Sequence, residues 1–367
     1  MEYIVTPQDK AIIALTTQTD LTYAKLKSII ETLQDVSVIF SSDITKYSFV
    51  AGLTASDVNK IAQIDIERVN GYLNNLREQN IQVFTILSDI YPKRLKEIYN
   101  PPVILYAKGN LKLLKENDTL SVVGTRRCTN YGREVTKEFC KTFAHKGLVI
   151  ISGLADGIDT IAHETALEYM GKTIAVIGSG FNHIYPTTNT ALVEKIIDNN
   201  GLILTEYEAG ETPQAFHFPA RNRIIAGLSR GVLIVEAPLR SGALITKEYA
   251  LECNREIFVV PGRINDIYSK GSNEVIRSCQ GSIVLSADDV LEFYGKNADN
   301  LAKSKDIQLS MEEQAILSIL EVDDVHYETI LLKSGFASSQ LNSLLMKMEL
   351  KGIIKKLPGN IYTSVKF

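Results

Sequence analysis

The stretch with the densest chemistry is Phe216-His-Phe-Pro-Ala-Arg-Asn-Arg-Ile-Ile-Ala-Gly227. Two aromatic rings and a proline lead into Arg221-Asn222-Arg223, and an apolar helix-like segment follows. Guanidinium groups fork onto phosphate oxygens, and aromatic faces stack on bases. The combination reads as the wall of an anion site suited to nucleic-acid phosphates. A helix is expected to begin near Ile224. Arg221 and Arg223 share a side only while the chain before it is extended, so one faces the groove while the other pins the loop. Phe216 and Phe218 are both candidates for stacking on a base, and both also fit as core aromatics.

Three turns supply further anion contacts. Gly124-Thr125-Arg126 follows an apolar run, where the glycine allows close backbone approach and Arg126 suits a phosphate or a structural salt bridge. Gly178-Ser179-Gly180 offers bare N–H groups of the kind that hold a phosphate. Ser241-Gly242 opens another helix whose first turn can accept an anion.

Reaction chemistry is poorly supported. The candidate carboxylates are Asp156, Asp159, Glu206 and Glu236, and the candidate histidines are His163, His183 and His217. Asp156, Asp159 and His163 form a conceivable acid/base set, but their spacing fits helix capping and loop ordering better. No GxSxG, HExxH or paired metal-ligand spacing occurs. A dinucleotide fingerprint would need a third glycine where His183 stands. No P-loop run is present. No catalytic residue, metal or cofactor is therefore assigned. Cys128, Cys140, Cys253 and Cys279 are scattered, without a CxxC, as in a reducing cytoplasm.

Strand-like Val/Ile/Leu runs position these residues. From Thr119 the pattern repeats strand, Gly turn, helix, and continuous apolar runs indicate strands buried on both faces. This predicts an α/β fold with a doubly wound, mostly parallel sheet. Its ligand site would lie at the carboxyl ends of the strands, where the Gly turns gather. Helical periodicity over 9–15, 22–33 and 55–64 predicts a small N-terminal module, with Asp20 and Ser56 as N-caps. It reads either as a packing and partner-binding domain or as a helix-hairpin-helix type contact. The expected boundaries are a helical domain over 1–78, the α/β core over 79–294, a polar linker over 295–308 and a terminal domain over 309–367. The last shows three helices and a β-hairpin, the order of a winged helix. It holds six lysines against seven carboxylates. That balance favours a protein-contact role over duplex reading. At 367 residues and a net charge of −4 the chain suits a soluble multidomain protein whose nucleic-acid contact is local. No signal peptide and no membrane-spanning run is read.

Together these motifs resemble the DprA/Smf family of bacterial DNA-processing proteins. The resemblance rests on Val123-Gly-Thr-Arg126, Ser152-Gly-Leu-Ala-Asp-Gly-Ile-Asp-Thr160 with Ala162-His163, and Ala175-Val-Ile-Gly-Ser-Gly180. It continues through Ile184-Tyr-Pro186, Leu204-Thr-Glu-Tyr207, the opening stretch, Ser241-Gly-Ala-Leu-Ile-Thr246 and Val260-Pro-Gly262, over roughly 80–292. It implies an extended Rossmann-like core flanked by a SAM-like helical domain and a winged helix. It also implies a non-enzymatic, single-stranded DNA-binding mediator of natural transformation that protects incoming DNA and helps load the RecA recombinase. The DNA pocket would then use Arg126, Gly178, Ser179, Gly180, Phe218, Arg221, Asn222 and Arg223, with Ser241 and Gly242 beside them. Thr187 stands where some relatives carry a lysine after the Tyr-Pro pair. The family dimerises through the end of its core, which points to Val275 and Ile276. The alternative is a nucleotide-processing enzyme like the lysine decarboxylase-like (LOG) phosphoribohydrolases. Their Pro-Gly-Gly-x-Gly-Thr run is replaced here by Glu236-Ala-Pro-Leu-Arg-Ser-Gly242.

Overall fold

A computed structural model describes residues 4–296, 309–320, 324–351, 353–357 and 359–364. Two compact units result, Met1–Asn297 and Ala298–Phe367. Most of the expected linker, 297–308, lies outside the described residues.

The first unit is built on nine strands: β1 (Gln82–Thr85), β2 (Ile104–Gly109), β3 (Thr119–Val123), β4 (Val149–Ser152), β5 (Lys172–Val176), β6 (Leu202–Thr205), β7 (Gly231–Ile234), β8 (Glu256–Val259) and β9 (Ser282–Ile283). Their order in the sheet is β1-β2-β6-β5-β4-β3-β7-β8-β9. Strands β3 to β9 pair in parallel, while β1 and β2 add an antiparallel edge beyond β6. The apolar runs are buried on both faces because side chains alternate. Leu120, Val122, Ile150 and Leu233 pack beneath the helices Asn130–His145 and Ile158–Glu168. Val149, Ile151, Val232 and Ile234 pack on the other face, with Ile224, Ile225 and Ala250 of the helices His217–Leu228 and Gly242–Glu252. From β3 the chain winds one way through β4, β5 and β6, then crosses to β7 and β8 on the other side. A crevice opens where that order reverses, beyond the carboxyl ends of β3 and β7.

The N-terminal helices are Pro7–Gln18, Tyr23–Thr32, Ala55–Ala62 and Ile66–Glu78. Their caps differ from expectation. Thr6, Thr22 and Thr54 occupy the N-cap positions, and Asp20 instead pairs with Lys60 at 2.5 Å. Thr54 wins over Ser56 because Asp57 stands three residues on and closes a reciprocal capping box. These helices share one hydrophobic cluster with Val83, Ile104, Ile177 and Ile203 of the sheet region. A buried carboxylate reinforces the contact. Asp9 accepts from Thr6, Thr85 and Ser88, each hydroxyl at 2.6 Å. Removing it strands those hydroxyls, at a cost of about 1–3 kcal/mol each where burial persists. Asp9→Ala is therefore expected to speed amide hydrogen exchange across Pro7–Gln18 and β1, while Asp9→Asn retains part of the protection.

The second unit packs the helices Met311–Leu320, Tyr327–Ser334 and Ser338–Leu350 around Ile316, Ile330, Leu341, Leu345 and Met348. Its strands are β10 (Val325–His326), β11 (Ile354–Leu357) and β12 (Ile361–Ser364), ordered β10-β12-β11 and antiparallel. Gly335 ends the second helix with φ +68°, a left-handed position that suits glycine. Beyond the expected hairpin, β10 adds a short third strand. On the third helix Gln340 donates to Glu312 at 3.0 Å, and the Lys351 that follows it pairs with Glu313 at 2.7 Å. Two polar groups a DNA reader would use are thus engaged within the domain.

Candidate nucleic-acid interface

The helix expected near Ile224 begins at His217. Pro219 causes no break, because a first-turn residue has no intrahelical N–H bond to lose. Arg221 and Arg223 are consequently helical, and positions two apart point to nearly opposite sides. Arg221 turns under the carboxyl edge of the sheet and is 4% exposed. It donates to the carbonyls of Gly153, at 2.6 Å, and Val176, and its Nε reaches Asn222 Oδ1 at 3.1 Å. A Cβ on Gly153 would stand 2.6 Å from this guanidinium, so the turn after β4 needs glycine. Arg223 leaves on the other side. It forks onto both Glu206 oxygens at 2.6 Å and reaches Asn100 O at 2.8 Å.

The buried charge of Arg221 has a nearby counterpart. Asp159 accepts from the N–H groups of Gly153 and Ala155 at 3.1 and 3.4 Å. Burial pushes its carboxyl above the usual carboxylate range, and Arg221 pulls it back down. Burial draws Arg221 down to about 10, opposed by Asp159 and assisted by Arg126, so it stays a cation at neutral pH.

Above Arg221 lies a groove of about 730 Å³ at the switch point of the sheet. Arg126, Arg127, Arg221 and Arg240 line it against a single carboxylate, Asp159. The Arg126 guanidinium lies 5.5 Å from the centre of the Phe218 ring, close enough for a cation–π contact. Tyr185 tilts against the same ring at 5.3 Å. Asn222, Ser241 and Gly242 complete the wall named from the sequence. The Arg126 turn is held from below by Glu236, a fully buried residue. Its carbonyl accepts Thr125 N at 2.7 Å, and its carboxylate takes Thr129 N and Oγ1 at 2.9 and 2.5 Å. Gly132 must be glycine there, because a Cβ would come 2.2 Å from a Glu236 oxygen.

Other candidates fall elsewhere. Gly178 sits beneath Phe218, where a Cβ would come 3.1 Å from the ring. Ser179 is buried, with its hydroxyl unpartnered. Gly180 packs against the carbonyls of Glu208 and Ala209 rather than the groove. Thr187 is exposed in the 3-10 turn Thr187–Asn189 that Pro186 precedes, and neither it nor Arg223 lines the groove. Phe216 is 70% exposed and edge-on to His217, while Phe218 lines the groove. Val275 does not suit a docking surface. It is 3% exposed, because the apolar stripe of Lys270–Arg277 faces the core, and Ile276 is partly buried on the same cluster. The conceivable acid/base set is also dispersed. His163 is buried against Thr173 Oγ1 at 2.7 Å, and burial lowers its pKa to about 3, so it is neutral. Asp156 accepts from Thr188. Sequence reading missed Arg127, Tyr185, Arg240 and Tyr268 as lining residues. Arg240 carries a usable signal, since it directly precedes the helix-capping Ser241 in the segment that follows β7.

A doubly wound sheet with a cationic, aromatic groove at its switch point, followed by a winged helix, defines a phosphate-binding protein of the nucleotide or nucleic-acid class. Comparison with known proteins narrows this. The family described as DNA recombination-mediator protein A matches residues 82–295, and the DprA winged helix domain matches 301–360. DNA processing protein DprA of Streptococcus pneumoniae is 49% identical over 213 residues, 58% of this chain and 74% of that protein. Protein Smf of Escherichia coli is 33% identical over 319 residues, 84% of each chain. The solved structure of DprA from S. pneumoniae superposes with a TM-score of 0.68 at 40% identity, covering 80% of this chain and 98% of that one. A Helicobacter pylori DNA processing protein A structure, described for its single-stranded DNA binding mode, gives 0.54 at 35% identity, covering 59% and 96%. The chain belongs to the DprA/Smf family.

Proposed function

We propose that the protein binds single-stranded DNA in the groove over Arg221, protects incoming strands during natural transformation, and helps load the RecA recombinase. One observation carries the reading: four arginines and the Phe218–Tyr185 pair converge on a groove with one carboxylate, in a chain of net charge −4. Phosphates need the cations, and unstacked bases need the rings. Duplex DNA hides its base faces, so single strands are favoured. A titration of single-strand against duplex DNA across salt tests this. Equal affinity for both forms would overturn it. Phe218→Ala is expected to lose about 1–3 kcal/mol of binding per stacked base with little change in salt slope. Fluorescence anisotropy with a labelled oligothymidylate checks it.

The enzymatic alternative is weaker. Asp159 is committed to two backbone N–H groups and Arg221, and His163 is neutral and buried. Incubation with nucleoside monophosphates should release no base. On this reading the SAM-like 1–78 segment and the 309–367 winged helix flank the DNA-binding 79–294 core as accessory domains. Homodimerisation is assigned to the far edge of the sheet, where Ile283 and Leu285 are 52% and 76% exposed. A cytoplasmic location fits four free cysteines. Among the described residues no helix is long and apolar enough to cross a membrane.

A further inference from the structure

The opposite edge of the sheet carries a second concentration of positive charge. Arg230 and Arg255 directly precede β7 and β8, which pair in parallel with Gly231 opposite Glu256. That register sets the two arginines side by side at about 4.8 Å strand spacing. Arg94, on the helix Lys93–Lys96, packs against them, its carbonyl 3.0 Å from Arg255 Nη2. Burial lowers the pKa of Arg94, the like charges of Arg230 and Arg255 add to the effect, and the carboxylate opposing it is Asp118. Asp118 is already shared by Arg230 at 3.1 Å and Lys296 at 3.0 Å. Arg255 Nε is buried without a hydrogen-bond partner. Arg230 stacks on Phe293 and Tyr294 at 5.1 and 4.9 Å, and Phe293 is 40% exposed.

Four cations around one carboxylate, beside an exposed ring, leave a net positive charge without a counter-anion among the described residues. We propose that this amino-edge cluster is a second phosphate site that takes the backbone of a nucleic-acid strand. The five residues of β3 separate it from the groove by about 17 Å of sheet. A strand must therefore be long to reach both, and a short one fills the groove alone. The proposal rests on the groove reading only for the identity of the polymer.

The test compares wild type, R94Q and R94Q/R230Q/R255Q on a short oligothymidylate and on one several times longer, across salt. Thermal melting verifies that each variant is folded. Each phosphate contact to a single strand contributes about −0.7 to the slope of log K against log salt. The triple variant is expected to lose about 2 from the slope on the long strand, R94Q about 0.7, and neither to change on the short one. Unchanged long-strand slopes overturn the second site. If the triple variant melts, R94Q decides alone. Failure of the wild type to bind the short strand sinks the groove reading instead, while a slope loss on the long strand still supports the cluster. Saturable binding of a nucleoside triphosphate, lost in the triple variant with DNA slopes unchanged, would assign the cluster to free nucleotides and overturn the polymer reading.

Discussion

Replacing Arg221 with alanine is expected to destabilise the core by about 3–5 kcal/mol, the range for stranding one partner of a buried charge pair. A change confined to DNA affinity would fit an exposed arginine. Arg221 is instead a structural cation at the floor of the groove. It ties the turn after β4 to the end of β5 through Gly153 and Val176, and it faces the buried Asp159. Without it two carbonyls and a carboxylate lose their donor or counter-charge. Lysine would restore charge but not the fork, so Arg221→Lys should fall between alanine and wild type. The variant's pH dependence is diagnostic. Asp159 is already raised by burial, and loss of Arg221 removes the pull that lowers it. Its folded value then lies further above the unfolded value of about 3.9. Between those two values the native state binds the extra proton. Stability should therefore rise as pH falls through that window, more steeply in Arg221→Ala than in wild type. Chemical denaturation at several pH values reads this directly. A variant as stable as wild type would show that Arg221 is not part of the core.

Much of this arrangement was legible in the sequence, for a physical reason. Strands buried on both faces must be continuously apolar, so Leu120–Val123, Leu148–Ile151 and Gly231–Val235 stand out without knowledge of their partners. Gly124 and Gly178 marked strand ends because backbone there approaches other groups. What stayed hidden depends on where a side chain turns after its element has formed. Arg221-Asn222-Arg223 reads as an extended basic segment because the apolar helical run starts only at Ile224, yet the helix begins at His217, where a first-turn Pro219 is compatible with it. Once that helix is in place the two arginines part company, one beneath the groove and one locked to Glu206. Val275 parts from its expected surface role for the same reason, since a short helix does not announce which face it buries. Tyr185 and Arg240 enter the groove from loops far apart in the chain, and no local period reveals that convergence.

The largest functional effect is expected from the cations at the groove mouth. Arg126, Arg127 and Arg240 are exposed and line the same groove, and Arg126 touches the face of Phe218. None of the three carries the structural load of Arg221, so R126Q/R127Q/R240Q should melt as wild type does. Glu236 would still hold the Arg126 turn through Thr125 and Thr129. If each guanidinium contacts one phosphate, the triple change lowers the salt slope for a short single strand by about 2. Hydrogen bonds to charged groups contribute about 1.5–3 kcal/mol each, less where solvent screens them. Affinity at physiological salt should then fall on the order of a hundredfold. Phe218→Ala weakens binding without changing the slope, so the two variants separate the electrostatic and stacking contributions. An unchanged slope in the triple variant, with the fold intact, would move the DNA path away from the switch-point groove. A slope that falls for short strands, alongside wild-type melting, places the phosphates over β3 and β7.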